Sequence, residues 1–270
     1  MACLNVSNKL KLYYDDLSPE GSPCVVLLHG LGATSESWAF QVPVLVTHGY
    51  RVLVPDFRGF GRSTYPGTGH SIKDLAGDII HIMDHESIFS THLVGISMGG
   101  TIALQLACDY SHRFDKLVLV NTFAHLQPNS IKSRLYFLIR FALIHILGLQ
   151  AQARFVADRL FPGPDQEYLR QTVIKQIIQS DPKGYRASMR ALSRVNLTQQ
   201  LQRIPHHALV ITGENDFTVP PRIQRQLAEN IPNASQTIIS GAGHAVTVEK
   251  PDQFNMVLVY FLSDESAPPA

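Results

Sequence analysis

The chain has 270 residues, 45% hydrophobic and 17% charged, with a formal net charge of +1. That length suits one large α/β domain with an insertion rather than two independent domains, and so balanced a charge gives no field to gather a polyanion, which argues against a nucleic-acid partner. Cys3, Cys24 and Cys108, an odd number at wide spacing, form neither a metal-ligand set nor a disulfide framework, so a reducing compartment is expected.

In chain order, residues 1–16 carry polar side chains throughout and lack the apolar core of a secretory signal, which predicts a cytoplasmic protein. Residues 24–29 form an apolar, β-branched run that reads as a strand, ending in His29-Gly30-Leu31-Gly32. A histidine at a strand end beside a glycine turn is expected to be a hydrogen-bonded structural residue. Residues 36–47 read as a helix; Trp38, the sole tryptophan, can line an acyl pocket or fill the core. A strand at 51–55 leads into Asp56-Phe57-Arg58-Gly59-Phe60-Gly61-Arg62-Ser63, where Asp56 and Arg58 are expected to be a turn-fixing pair. The helix at 71–87 carries His81 and His85 at i, i+4, but no third ligand is identifiable, so no metal is predicted.

Residues 92–96 make another strand, and Gly95-Ile96-Ser97-Met98-Gly99 follows with a small-residue helix at 98–110 behind it. G-x-S-x-G between a strand and a helix is the nucleophile-elbow pattern: the serine sits on a strained turn, and the two glycines leave room where a side chain would clash. A serine hydroxyl needs a base and an orienting acid. Both are available after the strands predicted at 116–120, 208–212 and 236–240. Asp216 follows the second of these and His244 the third, each on a loop at a strand's carboxyl end. In a parallel sheet those ends share one edge, so Ser97, Asp216 and His244 are the predicted catalytic triad, with Glu214 as the fallback acid. The backbone N–H groups of Met98, at the helix start, and Leu31, in the glycine turn, are the predicted oxyanion hole.

Residues 124–204 break the alternation with helical periodicity alone, and the turns Phe161-Pro162-Gly163-Pro164 and Asp181-Pro182-Lys183-Gly184 divide them into three or four helices. This is read as a helical cap, 124–204, inserted into a core of 1–123 and 205–270. Lys132, Arg134, Arg140 and His145 interrupt the apolar stretch at 131–149, so no membrane span is predicted. Leu135, Leu138 and Phe141 have the spacing to face a substrate's hydrocarbon portion, though helix packing alone asks for the same pattern. His206-His207 are expected at the surface. Helices at 221–230 and 251–262 complete the pattern, and the tail after Ser263 is expected to fray.

The quoted motifs resemble α/β-hydrolase-fold enzymes over about residues 22–262, most closely small cytoplasmic esterases and 3-oxoadipate enol-lactonase-type enzymes. The resemblance implies a mostly parallel sheet with helices on both faces, a helical cap, a Ser/Asp/His triad and no cofactor. Serine at 97 departs from dehalogenase-like and epoxide-hydrolase-like relatives, which carry aspartate there. Gly95-Ile96-Ser97, with no proline in the His29 loop, departs from meta-cleavage C–C hydrolases. Phe60 stands where the family usually has histidine. The expected activity is hydrolysis of a small-molecule carboxylic ester or lactone, N-acyl homoserine lactones and enol-lactones included, by a monomer or homodimer. A slow-turnover small-molecule sensor on the same fold is the alternative.

Overall fold

Along the chain, strands Ala2–Ser7 (β1) and Leu10–Leu17 (β2) come first and pair antiparallel. The computed structural model describes residues 1–126 and 131–263, so the tail expected to fray, 264–270, lies outside the described residues. Leu10, Leu12 and Tyr14 point into the core while Lys11 and Tyr13 point away, the alternation of a half-buried strand. This hairpin was not anticipated from the sequence.

The chain continues through Cys24–Leu28 (β3), Val42–Thr47 (α1), Arg51–Pro55 (β4), Ile72–His85 (α2), Thr91–Ile96 (β5), Met98–Asp109 (α3) and Phe114–Val120 (β6). Instead of one helix over 36–47, a 3-10 turn at Ser35–Trp38 precedes α1. Pro43 explains the division: it has no N–H to bond a preceding carbonyl, so it sits in the first turn of a new helix. Ser71 caps α2 through a reciprocal capping box with Asp74.

Between β6 and the next strand the chain forms Ile131–Ile146 (α4), Gly148–Leu160 (α5), Glu167–Ile178 (α6) and Pro182–Arg194 (α7). Among the described residues an antiparallel bridge, His125 to Asn196, closes the neck of this segment. Alternation then resumes with His207–Gly213 (β7), Pro221–Asn230 (α8), Ala234–Ile239 (β8), Val246–Glu249 (α9) and Pro251–Ser263 (α10). Among the described residues no helix is long and apolar enough to cross a membrane.

The eight strands form one sheet in the order β1-β2-β4-β3-β5-β6-β7-β8, parallel from β4 to β8. Continuous apolar runs are what a sheet covered on both faces requires. In β3, Val26 and Leu28 enter the cluster on the α2 and α3 face, while Val25 and Leu27 enter the one around Trp38 and Phe254. Burying each such side chain contributes roughly 1.5–3 kcal/mol, and the two-sided core fixes the register that lines up the strands' carboxyl ends.

Candidate active site

Ser97 lies between β5 and α3 with φ 53° and ψ −115°, a left-handed conformation costly for a side-chain-bearing residue. Its neighbours allow no bulk: a Cβ on Gly95 would come 2.4 Å from Gly99 O, and one on Gly99 2.1 Å from Leu28 O. Hydrogen bonds at both polar backbone atoms of Ser97 pin the turn. Ser97 N donates to Val120 O at 2.9 Å, and Ser97 O accepts from the Thr122 hydroxyl at 2.6 Å and Thr101 N at 3.1 Å.

At the same sheet edge His244 Nδ1 lies 2.8 Å from Asp216 Oδ2. With Nδ1–H donating to the carboxylate, Nε2 is left as the acceptor, the tautomer a general base needs. Asp216 is buried; its Oδ1 accepts from Thr218 N at 2.8 Å and Val219 N at 2.9 Å, so the carboxylate is held on both oxygens. Glu214, the fallback acid, turns away and accepts from Ser240 Oγ and Gly241 N.

Residues not singled out from the sequence hold this pair. Buried Asn121, just past β6, donates through Nδ2 to Gly243 O at 3.0 Å and His244 O at 2.8 Å, and accepts through Oδ1 from Gly213 N at 2.8 Å. Gln224 Nε2 on α8 reaches Asn121 Oδ1, Asp216 Oδ2 and Val219 O. Glu249 brackets the histidine, accepting from Gly243 N at 2.7 Å and Ala245 N at 2.9 Å; burial raises its carboxyl pKa despite both bonds. A polar residue directly after an apolar strand, as Asn121 is, was the signal available in the sequence.

The glycine turn reaches Ser97 from β3: a Cβ on Gly30 would sit 3.7 Å from Ser97 Cβ. Leu31 N and Met98 N donate to no described residue, so both N–H groups are free for a ligand oxygen. His29 is buried and structural. Its Nδ1 donates to Gly30 O at 2.8 Å and its Nε2 accepts from Phe57 N at 3.0 Å, and burial lowers its pKa. A cavity of about 450 Å³ opens beside His244, with Leu160, Pro162 and Phe217 as its apolar wall.

Several expected roles are corrected. Trp38 is fully buried against Phe254 on the other face of the sheet, so it fills core and lines no acyl pocket. Leu135 and Leu138 are 54% and 67% exposed and Phe141 is 40% exposed and stacked on His145. The inward side of α4 is carried by Arg140 and Ile144 instead, because the apolar residues of this helix run right round it. Asp56 and Arg58 do not pair with each other: Asp56 binds Ser35 N and Arg62, while Arg58 forms its ion pair with Asp78 of α2. His206 is buried; only His207 is exposed. Phe60 is buried between His29 and Tyr185, at ring distances of 5.8 and 6.3 Å, where an apolar side chain fits the packing.

The family model for the alpha/beta hydrolase fold matches residues 23–251. A protein of Caulobacter sp. (strain K31) named "Putative carbamate hydrolase RutD" is 32% identical over 249 residues, covering 90% of this chain and 91% of the relative. Among solved structures, the enol-lactonase from Burkholderia xenovorans LB400 superposes with a TM-score of 0.88 at 28% identity, covering 97% of this chain and 100% of its own. Est816, described as an N-acyl homoserine lactone degrading enzyme, gives 0.79 at 25% identity over 96% and 100% of the two chains.

Proposed function

The chain belongs to the α/β-hydrolase fold family and is a hydrolase, and from that premise we propose that it cleaves a carboxylic ester or lactone through an acyl-enzyme on Ser97. The observation that carries this reading is the hydrogen bond between His244 and Asp216 at the sheet edge where strained Ser97 is presented. Ser97 Oγ attacks the substrate carbonyl as His244 Nε2 takes its proton. The oxyanion accepts from Leu31 N–H and Met98 N–H. His244 then protonates the leaving alkoxide, and water, activated by the same imidazole, releases the acid and regenerates Ser97. In a lactone the alcohol stays tethered, so the product is one hydroxy acid. The segment 124–204 acts as the cap, and the apolar wall at Leu160, Pro162 and Phe217 suits a substrate of small or medium size.

The relatedness to proteins named as carbamate hydrolases supports a second reading, in which Ser97 attacks a carbamate carbonyl, His244 protonates the departing alkoxide to leave a carbamoyl-enzyme, and water then releases a carbamic acid, which loses carbon dioxide to give the amine. A panel of p-nitrophenyl esters, small lactones, N-acyl homoserine lactones and carbamates, run on wild type and Ser97→Ala, separates them. Rapid ester or lactone turnover, reduced in the variant by a factor on the order of 10⁴–10⁶, is the expected outcome. Turnover confined to carbamates selects the second reading. A wild type as inert as the variant overturns both and leaves the slow-turnover sensor.

A further inference from the structure

Away from Ser97, a second cavity of about 410 Å³ lies between α7 and the α2 and α3 helices, with His70, Gln105, Arg190, Arg194, Asn196 and Gln200 contributing its polar lining. That volume falls within the range of small-molecule sites. No aspartate or glutamate lines it. Arg190 is half-buried and Arg194 exposed, one turn apart on α7, and neither guanidinium bonds to a described residue. Arg51, Arg58, Arg62, Arg113 and Arg170 each pair with a carboxylate, whereas Arg186, Arg203 and Arg225, like Arg190 and Arg194, bond through the guanidinium to no described residue but do not line this cavity. The helix dipole favours a cation at Arg194, in the last turn, but offers little to Arg190, and like charges at this spacing destabilise a helix. Asn196 Oδ1 takes Thr198 N–H, which leaves its amide nitrogen without a described partner. Ala187, Ala191 and Leu197 supply an apolar wall.

We propose that this cavity binds a small organic carboxylate, its charge gripped by Arg190 and Arg194 and its apolar body resting on Ala187, Ala191 and Leu197. The guanidinium fork matches a carboxylate in two parallel hydrogen bonds, and the uncompensated charge is what such a ligand neutralises. Occupancy ties α7 to the core. The same helix places Tyr185 against Gly32 in the turn that carries Leu31, and its cap residue Asp181 donates through N to Gly59 O, so the ligand steadies the element that covers the reactive turn. His70 reports on the site. Burial, then the charges of Arg58 and Arg190, lower its pKa to about 4, and a carboxylate bound on Arg190 offsets the last of these and raises it.

The test is calorimetric titration of the full chain with benzoate and succinate against benzamide and succinamide at fixed ionic strength, with the His70 imidazole followed by NMR. Because the readout is binding, the result does not depend on the hydrolytic reading. Saturable binding of a carboxylate, absent for its amide, with an upward shift of the His70 pKa and at least tenfold weakening in Arg190→Gln/Arg194→Gln, is the expected result. The double Lys variant, which keeps charge but loses the fork, should fall between and covers the case of a misfolded Gln variant. The proposal is overturned if neither carboxylate saturates, if the amides bind equally, or if the folded Gln variant binds as wild type does.

Discussion

Gln224 has only one orientation available to it. Asn121 Oδ1 accepts Gly213 N–H, so it is the oxygen; Asp216 Oδ2 and Val219 O are acceptors too, and all three face the Gln224 amide nitrogen. The cost is that Gln224 Oε1 lies buried with no partner, and a buried polar atom left so is retained only where its other end does something useful. Here that end donates to the carboxylate oxygen that holds His244. Gln224→Met keeps the volume and deletes the donor. A hydrogen bond to a charged group contributes about 1.5–3 kcal/mol, of which orientation of the imidazole is one share, so kcat should fall about tenfold with KM nearly unchanged. Steady-state kinetics on the best ester or lactone reads the split, and a rise in KM at constant kcat would place Gln224 in substrate binding instead.

At the scale of elements, legibility followed burial on two faces. The parallel strands announce themselves because every residue from Cys24 to Leu28 or from Leu117 to Val120 is buried, so each run is apolar without interruption. The β1–β2 hairpin hides the same information in alternation: Leu10, Leu12 and Tyr14 are buried, but Lys11 and Tyr13 stand between them and Asp15 follows, and the stretch reads as merely polar. The placement of Ser97 on a strained turn and of Asp216 beside His244 was legible because turn chemistry and strand ends mark them. Asn121 and Gln224 were not, since Asn121 holds the distant backbone of Gly213, Gly243 and His244 and Gln224 meets the Asn121 side chain only in the folded chain, while Glu249 bonds the nearby N–H groups of Gly243 and Ala245 in a loop that no motif marks. In the segment 131–194 the turns were legible but the inward faces were not, because apolar residues of α4 occur on every side of the helix among its charged ones. Its neighbour α7 is better specified. Asp181 caps it by accepting from Lys183 N at 2.8 Å and Gly184 N at 2.9 Å, while Pro182 occupies the first helical position. Asp181→Ala should therefore cost about 1 kcal/mol of stability, measured by urea unfolding, whereas Asp181→Asn or Asp181→Ser should recover most of it. A loss in all three alike would mean that the cap contributes nothing.

Over the whole molecule, the parallel sheet gathers loops from β3, β5, β7 and β8 along one edge, while titratable groups buried in several parts of the fold set how it responds to acid. His29, His70 and His206 all have pKa values lowered by burial, His70 to about 4. Such groups stay neutral in the folded chain while the unfolded chain takes up protons below about 6.5, so more protons bind to the unfolded state and stability rises with pH. Their contribution is complete above pH 6.5 and is lost as pH falls toward 4. Asp78 and Glu249 act in the opposite sense, since burial raises their pKa values and the folded chain holds those protons more tightly. Asp56 and Asp74, with lowered pKa values, lose their contribution only below the ordinary aspartate range. For His70 alone the linkage amounts to about 2 kcal/mol at pH 5 relative to pH 7.5. Urea unfolding at the two pH values should show wild type losing stability on acidification and His70→Gln losing less by about that amount. An identical pH dependence in the two proteins would mean that the His70 ring takes up its proton in the folded state as readily as in the unfolded one, and that its hydrogen bond with Ser188 at 2.6 Å is made by an imidazolium at pH 5.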